Sequence, residues 1–446
     1  MSDIYTTVKS IAKNLEDQYL VFEGEFEAFT PWWGGNEFGY TFYPQPHYPE
    51  AKEIIGKTKW AIRTLCGHVP KELGFSEGEK ASASQVKVIV ERLNEGVRYF
   101  NSVPPVGSSR DDYSTRLNAM REAGRMLLFK GYTPSRKYDN LVNKLLQNKE
   151  FYELYKLLAI PRFYLRAMGS NDMSPSQIMQ ELLKSQPMKP GLRIRVKVYS
   201  KNKEISKLFV NAMLLTLKLL GIGSAANRGF GRFRLVKVNY AIEGIDGKAE
   251  LSNPKEIDDF ISERINKNVK CEKVNDERFP RFPPGHEIRL IKPVCAPIDI
   301  KKKYNVNSVE GVLSAIGLAT LKSTWKAHCG NLRGSGREYH TWVLGLPRKV
   351  KGKGYVGYVI DPVKQSRAEI NRRQSYIVIS PTVDNGVLLL PFVANDYHLI
   401  YHRDHGEVEV TKIKRFTPNC KSEQPSSSVA DHVNTALDWL EELLSC

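Results

Sequence analysis

Apolar residues recur with a period of two along LRIRVKVY, Leu192 to Tyr199. Leu192, Ile194, Val196 and Val198 share one face and Arg193, Arg195, Lys197 and Tyr199 the other, which predicts a half-buried strand. Val21 to Thr30, VFEGEFEAFT, alternates in the same way. Gly56 to Gly67 has helical spacing, with Ala61, Ile62 and Leu65 inward and Lys59 and Arg63 four apart on the outer flank beside Trp60. A second helix is expected from Lys203 to Leu220. It is apolar nearly all round after Ala212, so both its sides should be covered. Phe233 to Tyr240 follows as a strand. Between the first helix and the alternating strand lies a long, mainly helical insertion, about residues 78–185, broken by VPPVGSSRDD, Pro134 and Pro161. With one more strand hidden in that insertion, the order becomes βαββαβ, the plan of a ferredoxin-like unit.

Residues 246–284 are polar, carry the breaker run FPRFPPGH and read as a linker. A second round follows: a strand at Glu287–Val294, a helix at Val309–Ala327, a basic glycine-containing loop at Lys349–Gly354, and strands at 355–360, 375–379 and 387–392. The closing segment, Ser428 to Leu444, places Val429, Val433, Ala436, Leu437, Leu440 and Leu444 on one face and predicts a capped amphipathic helix. The expected architecture is therefore α+β, with two ferredoxin-like (RRM-like) units in tandem. They occupy residues 1–245 and 285–446, with the large helical insertion in the first and a C-terminal helix on the second.

The 446 residues are 41% hydrophobic and 26% charged, which fits a folded chain of two or three domains. The longest apolar stretch, around Met213–Leu220, contains Lys218 and is too short to span a bilayer, and the first residues lack an apolar signal core, so a cytoplasmic location is expected. Six cysteines at 66, 271, 295, 329, 420 and 446 show no C-x-x-C pair and no regular spacing, and are expected as reduced thiols. The net charge of +17 is unevenly placed. Lys189 to Asn239 holds twelve Lys and Arg against one acid, Glu204; Gly330 to Ile377 holds ten against three. The remainder is close to neutral. Two local basic regions suggest two contacts with a polyanion.

The densest chemistry lies in LLGIGSAANRGFGRFRLV, Leu219 to Val236. It contains a G-x-G-x-x-A match, but a dinucleotide loop follows a strand and opens a helix, and here the glycines follow a helix and precede a strand. AKEIIGKT, Ala51 to Thr58, is a near-match to a P-loop that puts Ala51 in place of the first glycine and sets Glu53 against any phosphate. Two readings remain. Gly221, Gly223, Gly229 and Gly231 let a backbone approach a ligand, with Arg228, Arg232 and Arg234 adding charge and Phe230 a flat face, a combination suited to single-stranded RNA. Alternatively the segment is a glycine-rich turn between helix and strand.

Helix, then G-x-G-x-x-x-x-R-G-F-G, then strand resembles the glycine-rich signature of RAMP proteins in CRISPR-Cas systems. Thr30-Pro31-Trp32-Trp33-Gly34-Gly35, followed by Ile54-Ile55-Gly56-Lys57-Thr58-Lys59-Trp60-Ala61-Ile62-Arg63, is similar to the first RAMP subunit of the type III-B (Cmr) effector complex. Leu344-Gly345-Leu346-Pro347-Arg348 and Arg372-Arg373-Gln374-Ser375 resemble the L-G-L-P and R-R-x-S elements of the second RAMP unit. The chain departs from the pattern at Ile55 and Lys59, where arginines are usual, and at Ala61 and Ile62, where aromatics are common. The resemblance implies a non-catalytic RNA-binding subunit at the end of a RAMP filament in antiviral defence. Its partners would be the guide (crRNA) and target single-stranded RNA and other RAMP subunits. On this reading the RNA-binding residues are Trp32, Trp33, Lys57, Lys59, Arg63, Gly223, Arg228, Gly229, Phe230, Gly231, Arg232, Arg348, Lys349, Arg372 and Arg373. The alternative for the Trp pair is core packing.

Catalysis has weaker sequence support. The loop from Phe29 to Lys57 contains no aspartate of the kind that the slicing backbone subunits of this family use. His47 and His68 are the candidates for a metal-independent endoribonuclease acting on guide precursor RNA. His398, His402 and His405 are the one metal-like cluster, but they lack cysteine or carboxylate company at regular spacing. No cofactor, metal or catalytic residue is expected. An assembly scaffold without RNA contact is the further alternative.

Overall fold

The structure, a computed structural model, describes residues 18–34, 48–74, 83–99, 133–147, 186–245, 250–266, 279–299, 302–329, 341–345, 348–350, 353–360, 367–370, 375–395, 399–402, 406–426 and 428–446, with scattered single positions elsewhere. The first half contains β1 (Leu20–Ala28), α1 (Ala51–Cys66), β2 (Val86–Arg92), α2 (Asp139–Gln147), β3 (Arg193–Ser200), α3 (Lys203–Leu215) and β4 (Phe233–Ala241). Its sheet runs in the order β2-β3-β1-β4, antiparallel throughout. That is the order a βαββαβ connection produces. The strand expected inside the insertion is β2, at the insertion's start. Alternation decides which face is buried: Ile194, Val196 and Val198 are fully enclosed while their charged neighbours face out. Each such side chain contributes on the order of 1.5–3 kcal/mol by leaving water.

Helix α1 starts at Ala51, ahead of the expected Gly56, and ends at Gly67, whose φ of 78° lets its N–H reach the Arg63 carbonyl at 2.8 Å. Asn202 caps α3 by accepting from the Ile205 N–H at 3.2 Å. A single π-helical turn, Thr216–Leu220, carries α3 into the glycine loop. The segment expected as a linker contains a helix, α4 (Pro254–Phe260). Asn253 caps it, and Glu256 reaches back to the Ser252 N–H at 2.7 Å. Ile257 and Phe260 of this helix bury into the first core.

The second half contains β5 (Arg289–Ile291), β6 (Cys295–Asp299), β7 (Lys302–Asn305), α5 (Val309–Ala319), α6 (Lys322–His328), β8 (Arg348–Val350), β9 (Lys353–Ile360), β10 (Arg367–Ile370), β11 (Ile377–Pro381), β12 (Val387–Pro391), β13 (Leu399–His402), β14 (Gly406–Glu409), β15 (Lys414–Phe416), β16 (Ser422–Pro425) and α7 (Val429–Leu444). Its buried sheet has the order β11-β12-β5, which repeats β2-β3-β1 of the first. An isolated antiparallel bridge joins Val294, past the end of β5, with Ser445, just after α7. β11 and β12 are buried on both faces. Ile377, Ile379, Val387 and Leu389 pack into the cluster that holds α5 and α7, whereas Val378, Leu388 and Leu390 pack into the core of the first half. One sheet therefore closes two cores.

The cysteines depart from expectation. Cys295 is bonded to Cys446 and Cys329 to Cys420, Cys66 is disulfide-bonded as well, and among the described residues no cysteine is free. The first of these bonds fastens the end of α7 to the start of β6, and the second fastens the end of α6 to the β15–β16 hairpin. Regular spacing is a poor guide here, because each bond joins elements that are adjacent only in the fold, 151 and 91 residues apart.

Candidate functional site

The motifs singled out in the sequence lie far apart in the chain and meet at one place, the joint between the halves. The glycine loop forms it. Gly221, Gly223, Gly229 and Gly231 all have positive φ, from 65° to 94°. A methyl group at Gly231 would lie 1.9 Å from the Ile222 carbonyl oxygen, and one at Gly223 would lie 2.3 Å from that of Trp33. The glycines thus admit close neighbours, but those neighbours are protein. The Gly231 N–H donates to the Pro31 carbonyl at 2.8 Å, the Ser224 N–H to that of Trp33 at 2.7 Å, and the Arg232 N–H to Thr30 Oγ1 at 2.9 Å. The Thr-Pro-Trp-Trp loop therefore lies directly on the glycine loop. On its other side the loop runs parallel to the edge of β11, pairing Arg228 with Ile379, and the Ile379 N–H reaches the Asn227 carbonyl at 3.2 Å.

The two central arginines are closed off from solvent, at 1% exposure for Arg228 and none for Arg232. Arg228 donates to the Leu344 carbonyl, to Ser375 Oγ at 3.3 Å and to the Ile377 carbonyl at 3.4 Å. Leu344 opens the L-G-L-P element and Ser375 closes the R-R-x-S element, so one guanidinium links three motifs. Arg232 donates to the carbonyls of Ala226 at 2.7 Å, Phe230 at 2.8 Å and Ile379 at 3.1 Å, and to Ser380 Oγ at 3.1 Å. No carboxylate is among these partners. Burial without one pulls Arg232 down to about 9. Arg228, Gly229, Phe230, Gly231 and Arg232, expected at RNA, are all buried. The terminal nitrogens of both guanidinium groups are directed at backbone carbonyls and a serine hydroxyl, and Phe230 packs against Trp33 at 5.9 Å inside the core.

Trp32 and Trp33 are likewise core residues, at 1% and 2% exposure, and Trp32 exchanges backbone hydrogen bonds with Met188 at 2.8 and 3.1 Å. Neither is placed to stack on a base. Helix α1 brings Glu53 and Lys57 to the same joint. The position beside Gly223 lies 3.0 Å from Glu53 Oε1 and 3.2 Å from Trp32 Nε1. Burial raises the Glu53 carboxyl to about 8, which the Trp32 indole only partly offsets. Burial, with the Arg232 charge adding to it, lowers Lys57 to about 7, and its ammonium lies over the Trp60 ring at 3.9 Å. Burial also lowers Lys59. The Arg63 guanidinium lies over the Phe279 ring at 3.6 Å. Arg348 and Lys349 belong to β8; Arg372 and Arg373 lie outside the described residues.

No protein-family model matches the chain, and no curated protein matches it. Solved structures similar to it include Cmr1 from Pyrococcus furiosus in its apo form, at 15% identity and a TM-score of 0.43 over 84% of this chain and 88% of that one. A chain of the type III-B Cmr-beta complex bound to cognate target RNA and AMPPnP in the presence of ssDNA is similar at 14% identity and a TM-score of 0.48, over 95% of this chain and 99% of that one. The same complex bound to cognate target RNA gives 12%, 0.43, 95% and 99%. At such values function has to be argued from the residues of this chain.

The basic stretch from Lys189 to Asn239 is much less basic in space than in sequence. Strand pairing sets Glu25 opposite Arg195 and Glu27 opposite both Arg193 and Arg234. Arg195 lies 3.0 Å from Glu25, 3.4 Å from Glu23 and 3.5 Å from Glu91; Lys197 lies 3.0 Å from Glu91, and Arg234 lies 2.6 Å from Glu27. The outer face of the sheet is thus an interleaved array of both signs. A window count missed it because the acids come from strands more than a hundred residues away. His68 Nδ1 faces the Cys66 carbonyl at 3.2 Å. His47, His398 and His405 lie outside the described residues, and among the described residues no three His, Cys, Asp or Glu side chains gather as a metal-holding group. Sequence reasoning missed Thr30, Glu53 and Ser380 as joint residues. Thr30 and Glu53 stood inside the quoted motifs, whereas nothing in the local sequence marks Ser380.

Proposed function

We propose that the chain is a non-catalytic subunit of a type III-B CRISPR ribonucleoprotein, built from two tandem ferredoxin-like RAMP units. In this reading it caps a row of related subunits and holds guide or target RNA through phosphates. One observation carries the proposal: the motifs that resemble the family in sequence converge on a single joint, through Thr30, Arg228, Arg232, Leu344 and Ser375. Chance matches have no reason to meet in space. The joint itself is closed, so RNA contact is assigned to the second basic region, Arg348, Lys349, Arg372 and Arg373, and to Lys59.

Binding of fluorescein-labelled single-stranded RNA to the full chain tests this. Four phosphate contacts give about a 50-fold loss of affinity between 50 and 200 mM salt, from the slope of roughly −0.7 per contact for single strands. The quadruple variant Arg348→Ala, Lys349→Ala, Arg372→Ala and Arg373→Ala should lose most of that dependence. Affinity indifferent to salt would overturn the phosphate mechanism. The closure of Arg228 and Arg232 favours one second reading, an assembly scaffold without RNA contact. In that case neither the wild-type chain nor the assembled complex would crosslink RNA to these residues. Cleavage of repeat RNA without metal, abolished in His47→Ala or His68→Ala, would favour an endoribonuclease over both.

A further inference from the structure

Four of the six large apolar side chains that stand most exposed among the described residues belong to one neighbourhood. They are Val236 at 45%, Val238 at 40% and Tyr240 at 43% on β4, and Val383 at 42% in the turn between β11 and β12. Val236, Val238 and Val383 line a groove of about 680 Å³, floored by Leu214, Leu235 and Leu251. β4 is also an edge strand: it pairs with β1, and among the described residues nothing pairs with its other side. An open row of backbone donors and acceptors beside valines is the arrangement that folded proteins usually blunt.

We propose that the outer edge of β4 accepts an extended segment of a partner polypeptide as a fifth strand, with alternating apolar and acidic side chains. The chemistry of that segment is given by the strand β4 already accepts. In β1, LVFEGEFEA, Glu25 stands opposite Lys237, Glu27 opposite Arg234 and Phe26 opposite Leu235. Of the groove's three cations, Lys218 lies 3.2 Å from Glu250 and Arg234 lies 2.6 Å from Glu27, so Lys237 is the one that offers its charge to an acidic side chain of the added strand. The two rings in its lining, Phe26 and Phe233, are buried at 1% exposure, and the apolar side chains that stand open are valines, so the groove suits a polypeptide better than a ribonucleotide strand that stacks on flat rings. Placing that partner among neighbouring subunits rests on the function proposed above; the groove and its edge do not.

The test uses the full chain and a fluorescein-labelled peptide of the β1 sequence, Leu20–Ala28, with a scrambled peptide as control, read by anisotropy. Saturable binding of the β1 peptide alone is expected. Val236→Glu combined with Val238→Glu should weaken it about tenfold, some 1.4 kcal/mol, with melting temperature and RNA affinity unchanged. Lys237→Glu is the second arm. It should weaken the peptide, and a peptide carrying Lys in place of its glutamates should recover binding. The proposal is overturned if wild type does not bind the β1 peptide, if all variants bind it alike, or if the double variant instead loses single-stranded RNA, which would make the groove a nucleic-acid surface. RNA binding that fails its salt test while the peptide still binds would sink only the function proposed above.

Discussion

Replacing Arg232 by methionine separates a ligand-binding arginine from one that builds the joint. Methionine keeps much of the aliphatic volume and removes four hydrogen bonds, those to the carbonyls of Ala226, Phe230 and Ile379 and to Ser380 Oγ. Hydrogen bonds to a charged group contribute about 1.5–3 kcal/mol each, so the loss alone is roughly 6 kcal/mol at the low end. Against it stands the relief of no longer burying a cation without a carboxylate, worth a few kcal/mol. The net cost is about 3–5 kcal/mol, in the range seen when a buried polar network is broken from one side. Urea unfolding with the disulfides intact should report it, together with faster proteolysis at the joint and a melting temperature lower by roughly 3–5 °C. RNA affinity, measured at a temperature where the variant is folded, should stay within about twofold of wild type, less than 0.5 kcal/mol. A variant that melts like wild type and yet loses RNA would refute the reasoning, because the guanidinium would then act on a ligand.

Gly231→Ala should destabilise more than an ordinary Gly→Ala change, since its φ is 67° and its new methyl would meet the Ile222 carbonyl at 1.9 Å; Gly56→Ala, exposed mid-helix with nothing within 4 Å, should instead stabilise by about 0.5–1 kcal/mol, and thermal melts of the two compare directly. Glu53→Gln should match wild type near pH 5 and exceed it increasingly toward pH 8. The native carboxyl stays protonated up to about 8, whereas the unfolded one ionises near 4.5, so wild-type stability falls across that window by up to about 1.4 kcal/mol per pH unit. Lys57→Met should show the opposite trend. Native Lys57 sits at about 7 against 10.5 unfolded, so its contribution is complete above 10.5 and is lost as pH falls through 7, which denaturation across pH 6–10 would reveal. Removing Cys329–Cys420 as a Cys→Ala pair frees a 91-residue loop and should cost about 4–5 kcal/mol in the chain-entropy account, measured by urea unfolding of the oxidised chain.

Strands with strict alternation were legible in the sequence, because a period of two fixes both the element and its buried face. β1 and β3 were found nearly to the residue, and from them the sheet order follows. The start of α1 was misplaced because Gly56 looked like a boundary, although an exposed glycine on a helix flank costs too little to end one. Helix α4 was hidden in a polar segment, yet its signal was present: Asn253 as cap, Pro254 at the first turn and Glu256 closing the box. The glycine motif was legible as a motif and not as a function. Positive φ and close approach are demanded equally by a phosphate and by a neighbouring backbone, and only the partners of Arg228 and Arg232 distinguish them. Charge was misjudged for a related reason: the counterparts of Arg193, Arg195 and Arg234 lie on β1, out of reach of any local window.

Because β11 and β12 shield two cores at once, the chain has no clean place to be cut. A fragment ending near residue 245 would retain Arg228 and Arg232 with most of their acceptors gone, and would lay bare the surface that Val378, Leu388 and Leu390 now cover. The complementary fragment would lose the strand-like cover along β11. Gene truncation guided by the apparent repeat would therefore yield two sticky halves, and the pair is better regarded as one inseparable folding entity.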